Sequence, residues 1–110
     1  KNRIATASQF AADHSLTLVL KGSPSLIAMA DGTVIINPTG NAGMATGGSG
    51  DVLTGIIAGL MAQGLPQASI AGSYIHGQAG DYFAKNESET TLIAGDLLRS
   101  LPETLKRILP

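Results

Sequence analysis

The feature that most constrains this chain is a glycine-rich block that runs from residue 37 to residue 55. It follows a β-branched run, Thr33–Ile36, and leads into an apolar helical pattern over Val52–Met61. Glycines at positions 47, 48 and 50 lack a Cβ, so a ligand can approach the bare backbone there. A strand, a glycine turn and a helix N-terminus in succession form an anion site, because the first helical amides have no intrahelical partner. The block therefore predicts a phosphate-binding turn.

Two common phosphate motifs do not fit these residues. A Walker loop ends in Gly-Lys-Ser/Thr, whereas this block has Gly50-Asp51-Val52 with no lysine nearby. A dinucleotide fingerprint needs a third glycine where Leu53 stands. The block is thus a phosphate turn of another kind.

Asp51 stands at the predicted start of the helix, and two interpretations apply to it. Aspartate is a preferred helix N-cap. Phosphoryl transfer also requires a carboxylate within reach of the attacking hydroxyl. Because Gly47, Gly48 and Gly50 precede Asp51 directly, we favour the second interpretation and predict that Asp51 is an acid/base residue.

Hydrophobic periodicity predicts an α/β arrangement of one helix, three strands and further helices. The predicted segments are a helix over 4–14, strands over 16–21, 25–30 and 33–36, and helices over 51–63, 67–85 and 92–109. The first strand is expected to be buried, and Asp31-Gly32 predicts a hairpin between the second and third strands. Pro102 is expected either to kink the last helix or to start a separate segment.

Five glycines lie inside the predicted helices over 51–63 and 67–85, where each weakens helix propensity by up to about 1 kcal/mol. We expect all of them to permit close backbone packing; they are Gly55, Gly59, Gly72, Gly77 and Gly80. His76 and Asp81 are five residues apart, so we place them on different helix faces. A single histidine on an apolar helix is more often a packing residue than a ligand, and His76 is interpreted in that way.

Composition excludes several classes of protein. The 110 residues carry a formal net charge of −1, which gives no basic excess for binding nucleic acid or an anionic membrane. The absence of cysteine excludes disulfides and thiolate metal sites. No apolar run approaches the ~20 residues of a membrane span, and no signal-peptide pattern opens the chain. We therefore expect a cytoplasmic protein. Because Lys1 lies in a helical pattern without an initiator methionine, we also expect a C-terminal fragment.

Residues 41–55 resemble the signature of the ADP- or ATP-dependent NAD(P)H-hydrate dehydratases, which belong to the ribokinase-like carbohydrate kinase superfamily. Shorter matches extend the resemblance over nearly the whole chain: Lys21-Gly22, Asp31-Gly32, the segment 76–81 and Gly95-Asp96-Leu97-Leu98. The resemblance implies the C-terminal part of a ribokinase-like α/β fold, with a short sheet and hairpin flanked by helices. It also implies that residues 1–110 form a single partial domain that binds a nucleotide.

The same resemblance implies roles for individual residues. Asp51 would be catalytic and would contact the hydrated nicotinamide substrate. The nucleotide-binding residues would be Lys21, Gly22, Ser23, Pro24, Ser25, Asn41, Gly43, Thr46, Gly47, Gly48, Ser49 and Gly50. Ser25 keeps the hydroxyl of the threonine that is commoner at its position. For Lys21 the other interpretation is a solvated lysine at a strand exit, and for Asn41, Gly43 and Thr46 it is turn structure.

The activity implied by the resemblance is dehydration of the (S)-hydrate of NADH or NADPH. The substrate hydroxyl is phosphorylated by ADP or ATP with Mg²⁺, and phosphate is then eliminated. An NAD(P)H-hydrate epimerase domain or partner and a homo-oligomer are further expectations. Two alternatives remain open: a small-molecule kinase of the same superfamily, which acts on a sugar or vitamin hydroxyl, and a nucleotide-binding module without turnover.

Overall fold

A computed structural model describes residues 2–109 and divides them into two compact units, one that ends at Pro38 and one that begins at Thr39. The order of elements is a helix, three strands and three helices, as the periodicity predicts. Their bounds are α1 Arg3–His14, β1 Leu18–Leu20, β2 Leu26–Ala28, β3 Val34–Ile36, α2 Ser49–Ala62, α3 Ala68–Asn86 and α4 Ala94–Ile108. A short 3₁₀ turn, Ala42–Met44, precedes α2.

The first unit packs α1 against a three-stranded antiparallel sheet of order β1-β2-β3. The predicted hairpin is confirmed: the Met29 amide donates to the Thr33 carbonyl at 2.8 Å, and Gly32 takes a positive φ of 92°. Asp31 tightens the turn because its carboxylate accepts the Thr33 amide at 2.9 Å. Local turn chemistry therefore sets the register of this hairpin.

Small residues hold α1 close to the sheet. Ala7 and Ala11 are buried on the helix, and they pack with Ala28 of β2 and half-buried apolar residues of the neighbouring strands. The prediction for β1 was wrong in two respects. It is shorter than residues 16–21, and its three residues are half-buried. The physical reason is its place at one side of the described sheet, where it pairs with β2 alone.

The second unit is a helical layer in which α3 packs against both α2 and α4. Its buried core contains Val52 from α2, Ala79 from α3 and Leu97 from α4. Pro102 lies inside α4, so it does not start a separate segment. The helix α2 closes as predicted, with Gly64 in the left-handed region at φ 83°.

The glycines of α3 lie at close approaches, and the prediction for them is confirmed. A Cβ on Gly72 would stand 2.6 Å from Ile57 Cγ1, one on Gly77 would overlap Thr39, and one on Gly80 would overlap Met44. The prediction for Gly55 and Gly59 was wrong. Among residues 2–109, no atom other than those of the adjoining residues and the helix's own backbone lies within 4 Å of a Cβ built on either glycine.

Candidate functional site

The turn that enters α2 has the geometry of an anion site. Gly48 is the N-cap with a left-handed φ of 89° and provides no side-chain cap, so the helix begins at Ser49. The Ser49 amide donates to the Thr46 carbonyl at 3.2 Å. The amides of Gly50 and Asp51 donate to no acceptor within the described part of the chain. Two unpaired donors therefore stand at the positive end of the helix dipole.

Asp51 lies in the first turn of α2 as an exposed residue. The predicted helix start at residue 51 was wrong by two residues, and the N-cap interpretation of Asp51 fails because Gly48 holds that position. The next two residues, Val52 and Leu53, are buried and anchor the turn in the core. Asp51 thus lies in the same anchored turn of the helix as the two unpaired amides.

The glycines of the block differ in what they do. A Cβ on Gly43 would overlap the Glu89 carbonyl oxygen and stand 3.0 Å from the carbonyl carbon, so this glycine allows a close backbone approach. Gly48 is required by its positive φ. Neither a close approach nor a positive φ requires glycine at position 47. Its φ lies outside the left-handed region, and no described atom of another segment lies within 4 Å of its Cβ position. Open space at Gly47 leaves the backbone accessible from outside the turn.

Asn41 uses both ends of its side-chain amide within the chain. Its Oδ1 accepts the Gly43 amide at 3.0 Å, and its Nδ2 donates to Asp81 Oδ1 at 2.9 Å. The second oxygen of Asp81 accepts the Gly40 amide at 2.9 Å. These contacts favour the turn interpretation for the Asn41 side chain. Thr46 contributes its carbonyl to the Ser49 amide, which is likewise a turn role.

His76 is buried, with 8% of its surface exposed, and it contacts the first residue of α2. Its Nε2 lies 3.0 Å from the Ser49 carbonyl oxygen and 3.2 Å from Ser49 Oγ. Because a carbonyl oxygen can accept but not donate, Nε2 carries a proton in this arrangement. The interpretation of His76 as a satisfied packing residue agrees with these contacts.

The segment Lys21–Ser25 belongs to the first unit, where it connects β1 to β2. Lys21, Gly22, Ser23 and Pro24 are exposed. Ser25 Oγ closes the turn, since it accepts the Gly22 amide and donates to the Gly22 carbonyl, both at 3.3 Å. The Arg3 guanidinium donates to the carbonyls of Lys21 at 3.3 Å and Pro24 at 3.1 Å. The hydroxyl of Ser25 therefore shapes the segment.

Sequence reasoning did not assign the roles of Arg3 and Asp81. Both side chains bond to backbone groups that are distant in the sequence. Arg3 contacts Lys21, which is 18 positions away, and Asp81 contacts Gly40, which is 41 positions away. For Asp81 a signal existed, because it lies in the segment 76–81 that resembles the family. For Arg3, no sequence pattern indicates that it contacts the segment Lys21–Ser25.

The described residues offer neither a metal cluster nor a membrane-spanning helix. Within residues 2–109, no group of three or more histidine, aspartate or glutamate side chains is arranged to hold a metal ion. Over the same residues, no helix combines the length and the apolar character needed to span a lipid bilayer.

Comparison with known proteins identifies the family. The family model Carb_kinase, described as NAD(P)H-hydrate dehydratase, matches residues 1–103. A bifunctional NAD(P)H-hydrate repair enzyme, Nnr, of Moorella thermoacetica is 50% identical over 110 residues, which is 98% of this chain and 21% of that protein. The chain thus spans about a fifth of this relative.

Two solved structures show the fold. The ADP/ATP-dependent NAD(P)H-hydrate dehydratase of Bacillus subtilis, co-crystallised with ATP and Mg²⁺, matches with a TM-score of 0.91 at 37% identity and covers 96% of this chain and 40% of its own. A ribokinase-like superfamily protein of Enterococcus faecalis matches with a TM-score of 0.81 at 37% identity, over 96% of this chain and 37% of its own. The chain has a ribokinase-like α/β fold and belongs to the NAD(P)H-hydrate dehydratase family.

Proposed function

We propose that this chain is the nucleotide-binding part of an enzyme that uses ADP or ATP to dehydrate the (S)-hydrate of NADH or NADPH. The observation that carries the proposal is the turn at Gly47–Asp51. It combines an open glycine, two unpaired amides at a helix N-terminus and an exposed carboxylate. Amides in this arrangement bind phosphate oxygens, and a carboxylate beside them can take a proton from an attacking hydroxyl.

In the proposed reaction, the substrate hydroxyl attacks the terminal phosphoryl group of the nucleotide and its proton passes to Asp51. The bond from that phosphorus to the bridging oxygen breaks, so ADP leaves as AMP, or ATP as ADP. The C–O bond then breaks, and the oxygen leaves within inorganic phosphate. Loss of a proton restores the ring double bond of the reduced nicotinamide. The amides of Gly50 and Asp51 stabilise the charge on the phosphate oxygens during transfer.

The remaining assignments are parts of the same proposal. Gly47, Gly48, Ser49 and Gly50 line the phosphates through their backbone, and Asn41, Gly43 and Thr46 shape the turn that leads to them. Lys21–Ser25 contacts the adenine nucleotide, as the family resemblance implies. Mg²⁺ accompanies the nucleotide and offsets charge between its phosphates. An NAD(P)H-hydrate epimerase as domain or partner, a homo-oligomer and a cytoplasmic location complete the proposal.

Asp51→Asn tests the catalytic assignment. The protein is incubated with hydrated NADPH and ADP or ATP, and the recovery of reduced-nicotinamide absorbance is followed. We expect the variant to lose at least ~100-fold in turnover, because a positioned acid/base group contributes ~10²–10⁴-fold. The matched control is Asp13→Asn, which removes the same charge from an exposed position on α1. Near-normal turnover of Asp51→Asn would refute the role of this carboxylate.

Product analysis in the same assay separates the alternatives. A stable phosphorylated product without recovery of the nicotinamide would support a small-molecule kinase. Nucleotide binding without turnover would support a binding module.

Gly47→Ala tests the phosphate turn. No described atom lies within 4 Å of the new Cβ, so we expect unfolding stability within about 0.5 kcal/mol of the unmodified protein. The methyl group would stand in the open space above the turn, so nucleotide affinity measured by calorimetry should fall at least about tenfold, or 1.4 kcal/mol. Unchanged affinity would show that the phosphates do not approach Gly47.

A further inference from the structure

The helix α3 contacts the glycine block at two points, one before the proposed phosphate turn and one within it. At the entry, Asp81 accepts from the Gly40 amide and from Asn41 Nδ2, both at 2.9 Å. Within the turn, His76 Nε2 lies 3.0 Å from the Ser49 carbonyl. The seven residues from 42 to 48 thus run between two points that are fixed to one helix.

We propose that Asp81 is a positioning residue, which holds the entry of the block so that the turn at Gly47–Asp51 is preformed for the nucleotide. This inference rests on the proposed function. Asp81 acts through Asn41, because the Asn41 Oδ1 in turn accepts the Gly43 amide at 3.0 Å. One carboxylate therefore orders the backbone at Gly40 directly and at Gly43 through a relay.

The hydrogen-bond pattern needs a carboxylate on one side and an amide on the other. Asp81 presents two acceptors to two N–H donors, and Asn41 presents one acceptor and one donor to Gly43 and Asp81. If Asp81 becomes asparagine, its NH₂ group faces either the Gly40 amide or Asn41 Nδ2. If the Asn41 side-chain amide is reversed to relieve this conflict, its NH₂ group then faces the N–H of Gly43. Every arrangement of Asp81→Asn thus leaves one pair of donors opposed.

Exchanging the two residues restores the pattern. In the double variant Asn41→Asp/Asp81→Asn, the new carboxylate at 41 accepts from the Gly43 amide and from the NH₂ group at 81. The carbonyl oxygen at 81 accepts the Gly40 amide. The single variant Asn41→Asp instead opposes two carboxylates across a contact that is 2.9 Å long in the original protein. The exchange therefore separates the hydrogen-bond pattern from the position of the charge.

The test measures backbone amide exchange at Gly40 and Gly43 and the dissociation constant for ADP in the unmodified protein, both single variants and the double variant. We expect the exchange rate at both amides to rise at least about tenfold in Asp81→Asn. In the double variant it should return to within about threefold of the rate in the unmodified protein. ADP affinity should follow the same order, with at least a tenfold loss in the single variants, because residues that orient the ligands of a metal site typically contribute ~10–100-fold and Asp81 orients the turn in the same way. Asp13→Asn is the control for the lost charge.

The outcomes distinguish the two proposals. Amide exchange needs no nucleotide, so a protein that binds no ADP refutes the proposed function while the exchange data still decide whether Asp81 holds the block. Exchange at Gly40 and Gly43 that is unchanged in Asp81→Asn overturns the inference. So does a double variant that stays as weak in ADP binding as Asp81→Asn, because a direct role for either side chain would then be required.

Discussion

Replacing Gly77 by alanine tests how the block packs against α3. A Cβ at residue 77 would overlap Thr39 Oγ1 and stand 2.6 Å from Thr39 Cβ and 2.7 Å from its carbonyl carbon. A rotamer change can move the hydroxyl, but the carbonyl carbon belongs to the backbone. The variant must therefore displace the chain at Thr39 from the helix.

The size of the effect follows from three contributions. Overpacking a tight contact costs about 1–3 kcal/mol, and the backbone contact favours the upper part of this range. Displacement of Thr39 also removes the bond from its Oγ1 to the Tyr74 carbonyl, 3.1 Å long, which contributes about 1 kcal/mol. Alanine returns about 1 kcal/mol of helix propensity. The net loss is about 2–3 kcal/mol, which lowers Tm by roughly 8–24 °C at ~4–8 °C per kcal/mol.

Thermal and urea unfolding of matched variants measure this loss. Gly55→Ala and Gly59→Ala are the controls, since each makes the same change inside α2 where no described atom lies within 4 Å of the new Cβ. We expect these two variants to gain about 0.5–1 kcal/mol, because alanine restricts the unfolded chain and favours the helix. A Gly77→Ala variant as stable as the unmodified protein would refute the packing of Thr39 on α3.

Two further variants test single contacts. His76→Leu should lower the free energy of unfolding by about 1–3 kcal/mol because it removes a buried hydrogen bond to Ser49, whereas His76→Gln keeps an N–H donor and should lose less in the same urea titration. Equal losses would contradict a role for the donor. The hydrogen bond from the Ile93 amide is the largest cause that lowers the pKa of Asp96, and the hydrogen bond from Arg99 is the next. The Asp96 carboxylate therefore stabilises the fold above the pKa of about 3.9 that an aspartate has in the unfolded chain. The difference in unfolding free energy between the unmodified protein and Asp96→Ala should therefore disappear as the pH falls through the lowered pKa, and a difference that persists in strong acid would exclude this cause.

Local chemistry made much of the fold predictable from the sequence. The hairpin at Asp31-Gly32 depends on residues within the turn itself, so its position was right. The start of α2 depends on a distant contact as well as on local residues. Ser49 and Gly50 are weak helix formers, and the local signal placed the boundary at Asp51. Ser49 is helical in the structure, where it is buried and bonded to His76, and that contact joins residues 27 positions apart.

The failed predictions concern partners that the sequence does not name. The glycines of α2 and of α3 both lie inside apolar helical patterns, yet a Cβ on Gly77 would meet Thr39 while one on Gly55 would meet no neighbouring element among the described residues. The spacing of His76 and Asp81 places them on different faces of α3, and both nevertheless hold the glycine block. They contact different parts of it, Gly40 before the phosphate turn and Ser49 within the turn. Helical periodicity fixes the direction of a side chain but not the course of a loop that wraps around the helix.

The way in which the block satisfies its hydrogen bonds explains why its tip is suited to an anion. The amides of Gly40 and Gly43 donate to side-chain oxygens, and the Ser49 amide donates to a carbonyl of the turn. These bonds fix the backbone before Gly50, and the helix α2 fixes it afterwards. The amides of Gly50 and Asp51 therefore keep their direction without a partner in the described chain. A ligand that replaces water at these two donors therefore orders little further backbone when it binds, and preorganisation of this kind raises affinity without additional contacts. Substitutions at Asp81 should accordingly weaken the binding of an anion at the amides of Gly50 and Asp51, although Asp81 contacts neither of them.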